Sequence, residues 1–340
     1  MEALQALRVE YADGATAAPR QTVAEFLKVW LRDVAAARLR PSSYRRVEGI
    51  VRVHLIPALG RHQVSQLRPQ HVNQMLRAKA RSGLAPKTCQ HIRTTLRTAL
   101  GQAVKWEIAR MNAAALSEPP RAQAPEIEAI SRDDARAILD AVRGDRLYAL
   151  YAVALGLGLR QGEALALQWR DVDLEGRTLA VRRTLHKLKD ADGEFEYQFL
   201  EPKTRRSRRT IVLPDPLVVA VREHREQQLA ERQQLGQLWA TNWGDLVFAT
   251  ESGRPLHGPT VTRKFQAMLR ASGLPRRRFH DLRHACATLL LAQGVPARVV
   301  MEVLGHATIA VTMNTYSHVL PELQREAADR MGEVLAGADR

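Results

Sequence analysis

Between residues 280 and 316 the chain places His280, Arg283, the triplet Leu304-Gly305-His306 and Tyr316 on an arginine-rich background. These side-chain types suit phosphodiester chemistry: arginine holds phosphate oxygens, histidine moves or shares a proton, and a tyrosine hydroxyl attacks. From His280 to Gly294 polar residues give way to apolar ones, with Leu282, Cys286, Leu289 and Leu290 at helical spacing toward a core. His280 and Arg283 then fall on an adjoining face, three residues apart, where both can reach one phosphate. Taken singly, a His-x-x-Arg pair also fits a helix surface. Tyr316 alone also fits a packed ring with a wet hydroxyl.

Two further segments carry the same chemistry. Arg160 and Glu163 lie in Gly156-Leu-Gly-Leu-Arg-Gln-Gly-Glu163, where an arginine between glycines at a helix junction can project into a concave site. A guanidinium there pairs with phosphate through two parallel hydrogen bonds. Lys203 opens the basic run Lys203-Thr-Arg205-Arg206-Ser-Arg208-Arg209 in a turn expected to join two strands. A lysine on such a hairpin can enter a groove and give a proton to a leaving oxygen. It is also one cation among several.

Lys and Arg number 51 against 36 Asp and Glu, a formal charge of +15 over 340 residues, which points to a polyanionic partner, most simply nucleic acid. A hydrophobic share of 45% supports globular folding. Cys89 and Cys286 are the only cysteines, which excludes a disulfide framework and Cys/His zinc spacing. No metal ligands or cofactor are expected, and Asp171 and Asp173 read as loop or cap residues. The apolar stretch Leu147–Leu159 is too short for a bilayer, and no signal peptide is visible. The expected location is cytoplasmic, nucleoid-associated when on DNA.

The elements that position these residues read as mainly α with a small antiparallel β-sheet. Residues 1–20 form a lead-in. Residues 21–112 read as an all-α unit: a helix capped by Thr22, then helices over Ser42 to about Leu55, Pro69 to Arg81, and Pro86 to about Arg110. Their polar faces carry Arg45, Arg46, Lys87, His91 and Arg93, which suit DNA phosphates and equally suit a solvated helix face. Residues 113–130 contain Pro119, Pro120 and Pro125 and read as a linker. Residues 131–340 open on a helix capped by Ser131 with Asp134 and continue with helical patterns to Trp169. Strands are predicted over Arg177 to Thr184, Phe195 to Leu200 and Arg209 to Leu213, with a further short strand at Leu246 to Ala249. Helices resume from Pro216 to the C-terminus.

Taken in order, these segments resemble the tyrosine recombinase family of phage integrases and Xer-type recombinases. Arg160 in Gly-Leu-Arg-x-Gly-Glu matches the family's first arginine, Lys203 in Pro-Lys-Thr its β-hairpin lysine, and His280-x-x-Arg283 its second box. Leu304-Gly305-His306 supplies the later histidine, and Tyr316 in Asn-Thr-Tyr-Ser-His matches the nucleophile. The match runs from about Ser131 to Val319; residues 21–112 resemble the core-binding domain more weakly, with the catalytic domain following. Glu163 fits the supporting acidic position.

The resemblance implies cleavage and rejoining of DNA through a 3′-phosphotyrosine, with no cofactor. Arg160 and Arg283 would neutralise phosphate oxygens, His280 and His306 would bond phosphate or move a proton, and Lys203 would protonate the leaving 5′ oxygen. Arg205, Arg206 and Arg208 would add DNA contacts. Alternatives from the residues stand beside these roles: Arg160 and Arg283 could pair with Glu163 or Asp281, and His306 could simply follow a helix end at Gly305. The implied partners are double-stranded DNA attachment sites, a homotetramer in the synaptic complex, and accessory DNA-bending or directionality factors; no membrane is involved. The tail beyond Tyr316 carries Leu320, Leu323, Ala327, Met331 and Val334 at helical spacing and could dock on a neighbouring protomer or on its own domain. Integration or excision of a phage or mobile element is the expected role. The alternatives are an Xer-type chromosome or plasmid resolvase, a type IB topoisomerase-like enzyme, and a non-catalytic sequence-specific DNA-binding protein.

Overall fold

The computed structural model describes residues 21–120, 130–189, 195–202 and 207–306, together with 308, 309, 328, 329, 331 and 332. The chain divides into two compact units, Met1–Glu126 and Ile127–Arg340. None of the described helices is long and apolar enough to cross a membrane.

In the first unit, helix α1 (Val23–Trp30) starts where Thr22 and Glu25 cap each other. The Glu25 amide donates to Thr22 Oγ1 at 3.2 Å and the Thr22 amide to Glu25 Oε2 at 2.9 Å. Its apolar stripe Val23, Phe26, Leu27 and Trp30 is buried. The helix then widens into a π-helical turn at Leu31–Ala35 and runs on to Arg38. Helix α2 (Pro41–Ile50) behaves likewise, passing through a π-helical turn at Val51–Leu55 into Ile56–Leu59. Helices α3 (Pro69–Arg81) and α4 (Pro86–Lys105) each take proline in the first turn, where its missing N–H costs nothing. Ile92, Leu96 and Leu100 of α4 meet Phe26, Leu27, Leu55 and Leu76 in one core.

The second unit is built around a helix that is apolar on every side. Helix α5 (Arg132–Val142) is capped by Ser131 and Asp134, with Asp134 N to Ser131 Oγ at 3.0 Å. Helix α6 (Tyr148–Leu157) buries Ala149 to Leu155 and Leu157, the signature of a helix enclosed by others. It packs against α5, α8 (Asp215–Leu235) and α10 (Phe279–Ala292). Gly158, left-handed at φ 61°, ends it. The short helix α7 (Gln161–Ala164) then begins, so the helical pattern to Trp169 is interrupted. Helix α9 (Gly258–Ala271) supplies Phe265, which stacks on Tyr151 at 5.2 Å between ring centroids. Helix α11 (Ala297–Leu304) ends at Gly305, again left-handed at φ 65°.

The β structure is antiparallel but forms two sheets. Strands β1 (Val172–Asp173), β2 (Thr178–Val181) and β5 (Arg209–Val212) make a three-stranded sheet, in which Thr178 faces Val212 and Val181 faces Arg209. Among the described residues, strands β3 (Thr184–Lys189) and β4 (Phe195–Leu200) pair only with each other, from Thr184 opposite Leu200 to Lys189 opposite Phe195. The single strand expected over Arg177 to Thr184 is therefore broken at Arg182 and Arg183. Both arginines turn onto the buried carboxylate of Asp171: Arg183 Nη1 lies 3.2 Å from Oδ2, and Arg182 Nε lies 3.5 Å from Oδ1. The segment from Glu201 to Arg209 lies between β4 of one sheet and β5 of the other. Leu246 and Ala249 form isolated bridges with Gln168 and Pro255 in place of a strand.

Candidate catalytic site

The site collects on the C-terminal end of helix α11. Gly158 closes α6 with its carbonyl turned toward α10, and a side chain there would collide with Leu304 and crowd Cys286 Sγ. Close packing of α6 on α11 thus accounts for the glycine two residues before Arg160. Arg160 has extended backbone (φ −68°, ψ 146°) as the N-cap of α7. Its amide donates to Glu163 Oε2 at 3.0 Å and its Nη1 to Glu163 Oε1 at 2.7 Å. Glu163 is 1% exposed, whereas the Arg160 side chain is 38% exposed, so the guanidinium is anchored on a buried carboxylate and still reaches solvent. The Arg160–Glu163 pairing leaves part of the Arg160 side chain exposed.

Arg283 is buried in α10 rather than presented on its polar face. Its Nη1 donates to the Gly158 carbonyl at 2.6 Å and its Nη2 to the Leu304 carbonyl at 2.7 Å. Asp281, the alternative partner considered for it, is bonded to Arg278 Nη2 at 2.8 Å. His280 lies at the exposed start of α10, with its ring 4.9 Å from that of His284. His306 follows Gly305 directly and is buried.

Both imidazoles sit in positive surroundings. Burial and then the guanidinium groups of Arg283, Arg160 and Arg209 push the His306 pKa down to about 4. His280 falls to about 4 as well, through lost hydration of the ring followed by His284, Arg283 and Arg160. For Glu163, burial works to raise the pKa, but Arg209, Arg160 and their hydrogen bonds outweigh it and hold the carboxyl below the usual range. The site therefore carries a carboxylate, three guanidinium groups and neutral imidazoles at neutral pH.

Arg209 is the residue that spacing did not single out. It stood in a run of five cations, but the strand alternation of β5 turns Arg209 and Ile211 inward and Thr210 and Val212 outward. That alternation was the available signal. Its guanidinium reaches Glu163 Oε2, the Val303 carbonyl and the Ser207 carbonyl at 3.1, 2.6 and 3.1 Å.

The structure thus brings Arg160, Glu163, His280, Arg283 and His306 to one place. Lys203, Arg205, Arg206 and Tyr316 lie outside the described residues, as do Leu320, Leu323, Ala327 and Val334 of the tail, while Met331 is described and exposed. Arg208 is exposed and paired with Glu201. In the first unit Arg46, Lys87 and His91 are exposed and Arg45 is half-buried. Arg46 and His91 line a cavity of about 220 Å3 between α2 and α4. Arg93 instead turns into its own unit, with Nε to Ser117 Oγ at 3.1 Å and Nη2 to the Ala115 carbonyl at 3.0 Å. Asp171 is both the cap of the turn Trp169–Asp171 and the buried partner of Arg183. Among the described residues no cluster of three or more His, Cys, Asp or Glu side chains could hold a metal ion.

The phage integrase family matches residues 128–322, and the N-terminal SAM-like domain of phage integrases matches residues 22–79. A protein named tyrosine recombinase XerC-like, from Caldanaerobacter subterraneus subsp. tengcongensis, is 30% identical over 325 residues, covering 92% of this chain and 83% of its own. An integrase from Saccharopolyspora erythraea is 29% identical over 367 residues, covering 94% and 83%. Among solved structures, the Tn1549 transposon integrase in complex with transposon right-end DNA superposes with a TM-score of 0.78 at 19% identity, over 92% of this chain and all of that one. A lambda integrase tetramer bound to a Holliday junction gives 0.63 at 20% identity, over 90% and 86%. Matched over more than half its length by the family and across both units by its relatives, the chain belongs to the phage integrase family, the tyrosine recombinases that cleave and rejoin DNA.

Proposed function

We propose that this recombinase inserts or excises a phage or mobile element at double-stranded DNA attachment sites, with Tyr316 as nucleophile and the arginines and histidines of the α11 end as its phosphate site. The observation that carries the reading is the convergence of Arg160 and Arg283 on adjacent carbonyls beside His306, with the Arg160 side chain still part-exposed. Phosphoryl transfer asks chiefly for positioning and charge stabilisation, which such a set supplies.

Tyr316 Oη attacks the scissile phosphorus, forming a 3′-phosphotyrosine ester while the bond to the 5′ oxygen breaks. Lys203 supplies the proton to that oxygen, and His280 assists removal of the tyrosine proton. Arg160 and Arg283 neutralise the non-bridging oxygens, and His306 donates to one of them once phosphate negative charge restores its proton affinity. A 5′ hydroxyl of the partner duplex then attacks the ester and regenerates Tyr316, so the ester linkage is conserved and no external energy source enters. Four protomers synapse two duplexes, as in the lambda integrase tetramer on its Holliday junction. Arg45, Arg46, Lys87, His91, Arg205, Arg206 and Arg208 make DNA contacts, and accessory DNA-bending or directionality factors bias the direction. A resolvase role is the second reading, favoured by the XerC-like name of a relative.

The test begins with a randomised duplex pool selected on the Tyr316→Phe chain. The recovered sequence, nicked beside the crossover as a suicide substrate, should become covalently trapped by wild type and only bound by Tyr316→Phe. Absence of a covalent product would sink the nucleophile assignment. Rapid relaxation of supercoils by a monomer, with no joining of two sites, would favour a topoisomerase instead.

A further inference from the structure

Helix α11 ends on three consecutive carbonyls, and each receives a guanidinium from a different part of the chain. Arg209 Nε donates to Val303 at 2.6 Å, Arg283 Nη2 to Leu304 at 2.7 Å and Arg160 Nη2 to Gly305 at 3.4 Å. The last carbonyls of a helix lack intrahelical partners and carry its negative end, so cations are stabilising there. The next residue is His306. Whatever holds this end also holds the histidine.

Two of these arginines are already placed in the phosphate site; Arg209 is the third, and like Arg283 it is buried. Its side chain is 7% exposed, and its described partners are protein acceptors: Glu163, Val303 and Ser207. Through Glu163 Oε2 it fixes the carboxylate whose other oxygen grips Arg160 Nη1. Through Val303 it fixes the turn that presents His306. Gly305 makes room for this arrangement, because a Cβ at that position would stand 2.9 Å from Arg209 Nη1. The glycine of the Leu-Gly-His triplet thus answers to Arg209 as well as to its own left-handed backbone.

We propose that Arg209 is a positioning residue of the cleavage site, orienting Arg160 through Glu163 and His306 through the Val303 carbonyl without touching DNA. A planar fork spreads its donors over three nitrogens and spans the separate positions of these acceptors. Lysine, with one compact ammonium on a flexible stem, does not. The proposal rests on the assignment of Tyr316 as nucleophile, and the experiment separates the two.

The full chain carrying Arg209→Gln or Arg209→Lys is compared with wild type on the selected nicked duplex. Covalent trapping is followed in a single turnover, with active protein counted by stoichiometric DNA binding. Misplacing catalytic groups by about 1 Å slows chemistry by about 10²-fold. Both variants should show slowing of that order with DNA affinity changed only a few-fold. In a His306→Asn background, Arg209→Gln should slow trapping much less than it does alone, because its route through His306 is already removed. If Arg209→Gln does not fold, Arg209→Lys retains the charge beside buried Glu163 and carries the same cycle. Independently of cleavage, the imidazole resonance lost in His306→Asn should move in Arg209→Lys. Trapping at the wild-type rate, or full multiplication of the two effects, overturns the proposal; so does an unmoved His306 resonance. Failure of wild type itself to trap overturns the nucleophile reading instead, leaving the resonance to decide whether Arg209 holds His306.

Discussion

Arg209 and Arg160 share one carboxylate: Glu163 accepts from Arg209 Nη2 at 3.1 Å through one oxygen and from Arg160 Nη1 at 2.7 Å through the other. Two cations otherwise crowded at a buried helix end are thereby held apart by a single negative charge. Glu163→Gln keeps the shape and removes that charge. Breaking a buried ion pair from one side costs about 3 kcal/mol or more, so chemical denaturation should show a loss of that order in the transition of the second unit. An unchanged midpoint would mean that Arg209 finds another counter-charge.

Two left-handed glycines at helix ends allow a controlled comparison. Gly305 (φ 65°) faces Arg209, whereas Gly294 (φ 75°) has nothing within 4 Å of an added Cβ. Alanine at either position meets the left-handed backbone penalty of about 1 kcal/mol. Gly305→Ala must also displace Arg209. It should be the more destabilising of the two in thermal melts and the only one that abolishes covalent trapping, while equal losses would mean that Arg209 moves aside freely.

Protonation of His306 links the site to pH. Its ordinary value of 6.5 falls to about 4 in the folded chain, so the unfolded chain binds more protons between those limits. The stability this group contributes is present above about pH 6.5 and is lost as pH falls toward 4. Melting temperature should therefore decline less steeply across that window in His306→Asn than in wild type. Bound duplex should move the His306 resonance titration upward, since a phosphate charge offsets the guanidinium groups.

Helix α4 provides a test of which basic residues reach DNA. Lys87 is exposed, whereas Arg93 bonds Ser117 and Ala115 within its own unit. Lys87→Ala should reduce the slope of log affinity against log salt by about 0.9, the value of one released counterion. Arg93→Ala should leave the slope unchanged and lower the stability of the first unit. The reverse pattern would exchange their roles.

Local chemistry made much of the architecture readable. Thr22 with Glu25, and Ser131 with Asp134, are reciprocal caps written within four residues, and Pro69 and Pro86 mark first turns. What escaped depends on partners far along the chain. The break at Arg182 and Arg183 comes from Asp171 and is invisible to strand propensity, which sees one run from Arg177 to Thr184. The π-helical turns at Leu31–Ala35 and Val51–Leu55 alter hydrogen-bond register inside ordinary amphipathic patterns. In the candidate site, Arg160, Glu163, His280, Arg283 and His306 each stand in a short motif that the sequence displays, and the fold brings them together. Arg209 does not, because only the fold distinguishes it from the exposed Arg208 beside it.

The clamp on helix α11 also sets when activity can begin. Its acceptors lie 94 residues after Arg209 and 145 after Arg160, so a ribosome exposes the arginines long before the carbonyls that orient them exist. A nascent or truncated chain ending before residue 303 has the cations to grip a phosphate and no turn to present His306. The last turn of α11 is therefore a keystone: residues translated late fix the guanidinium groups of residues translated long before.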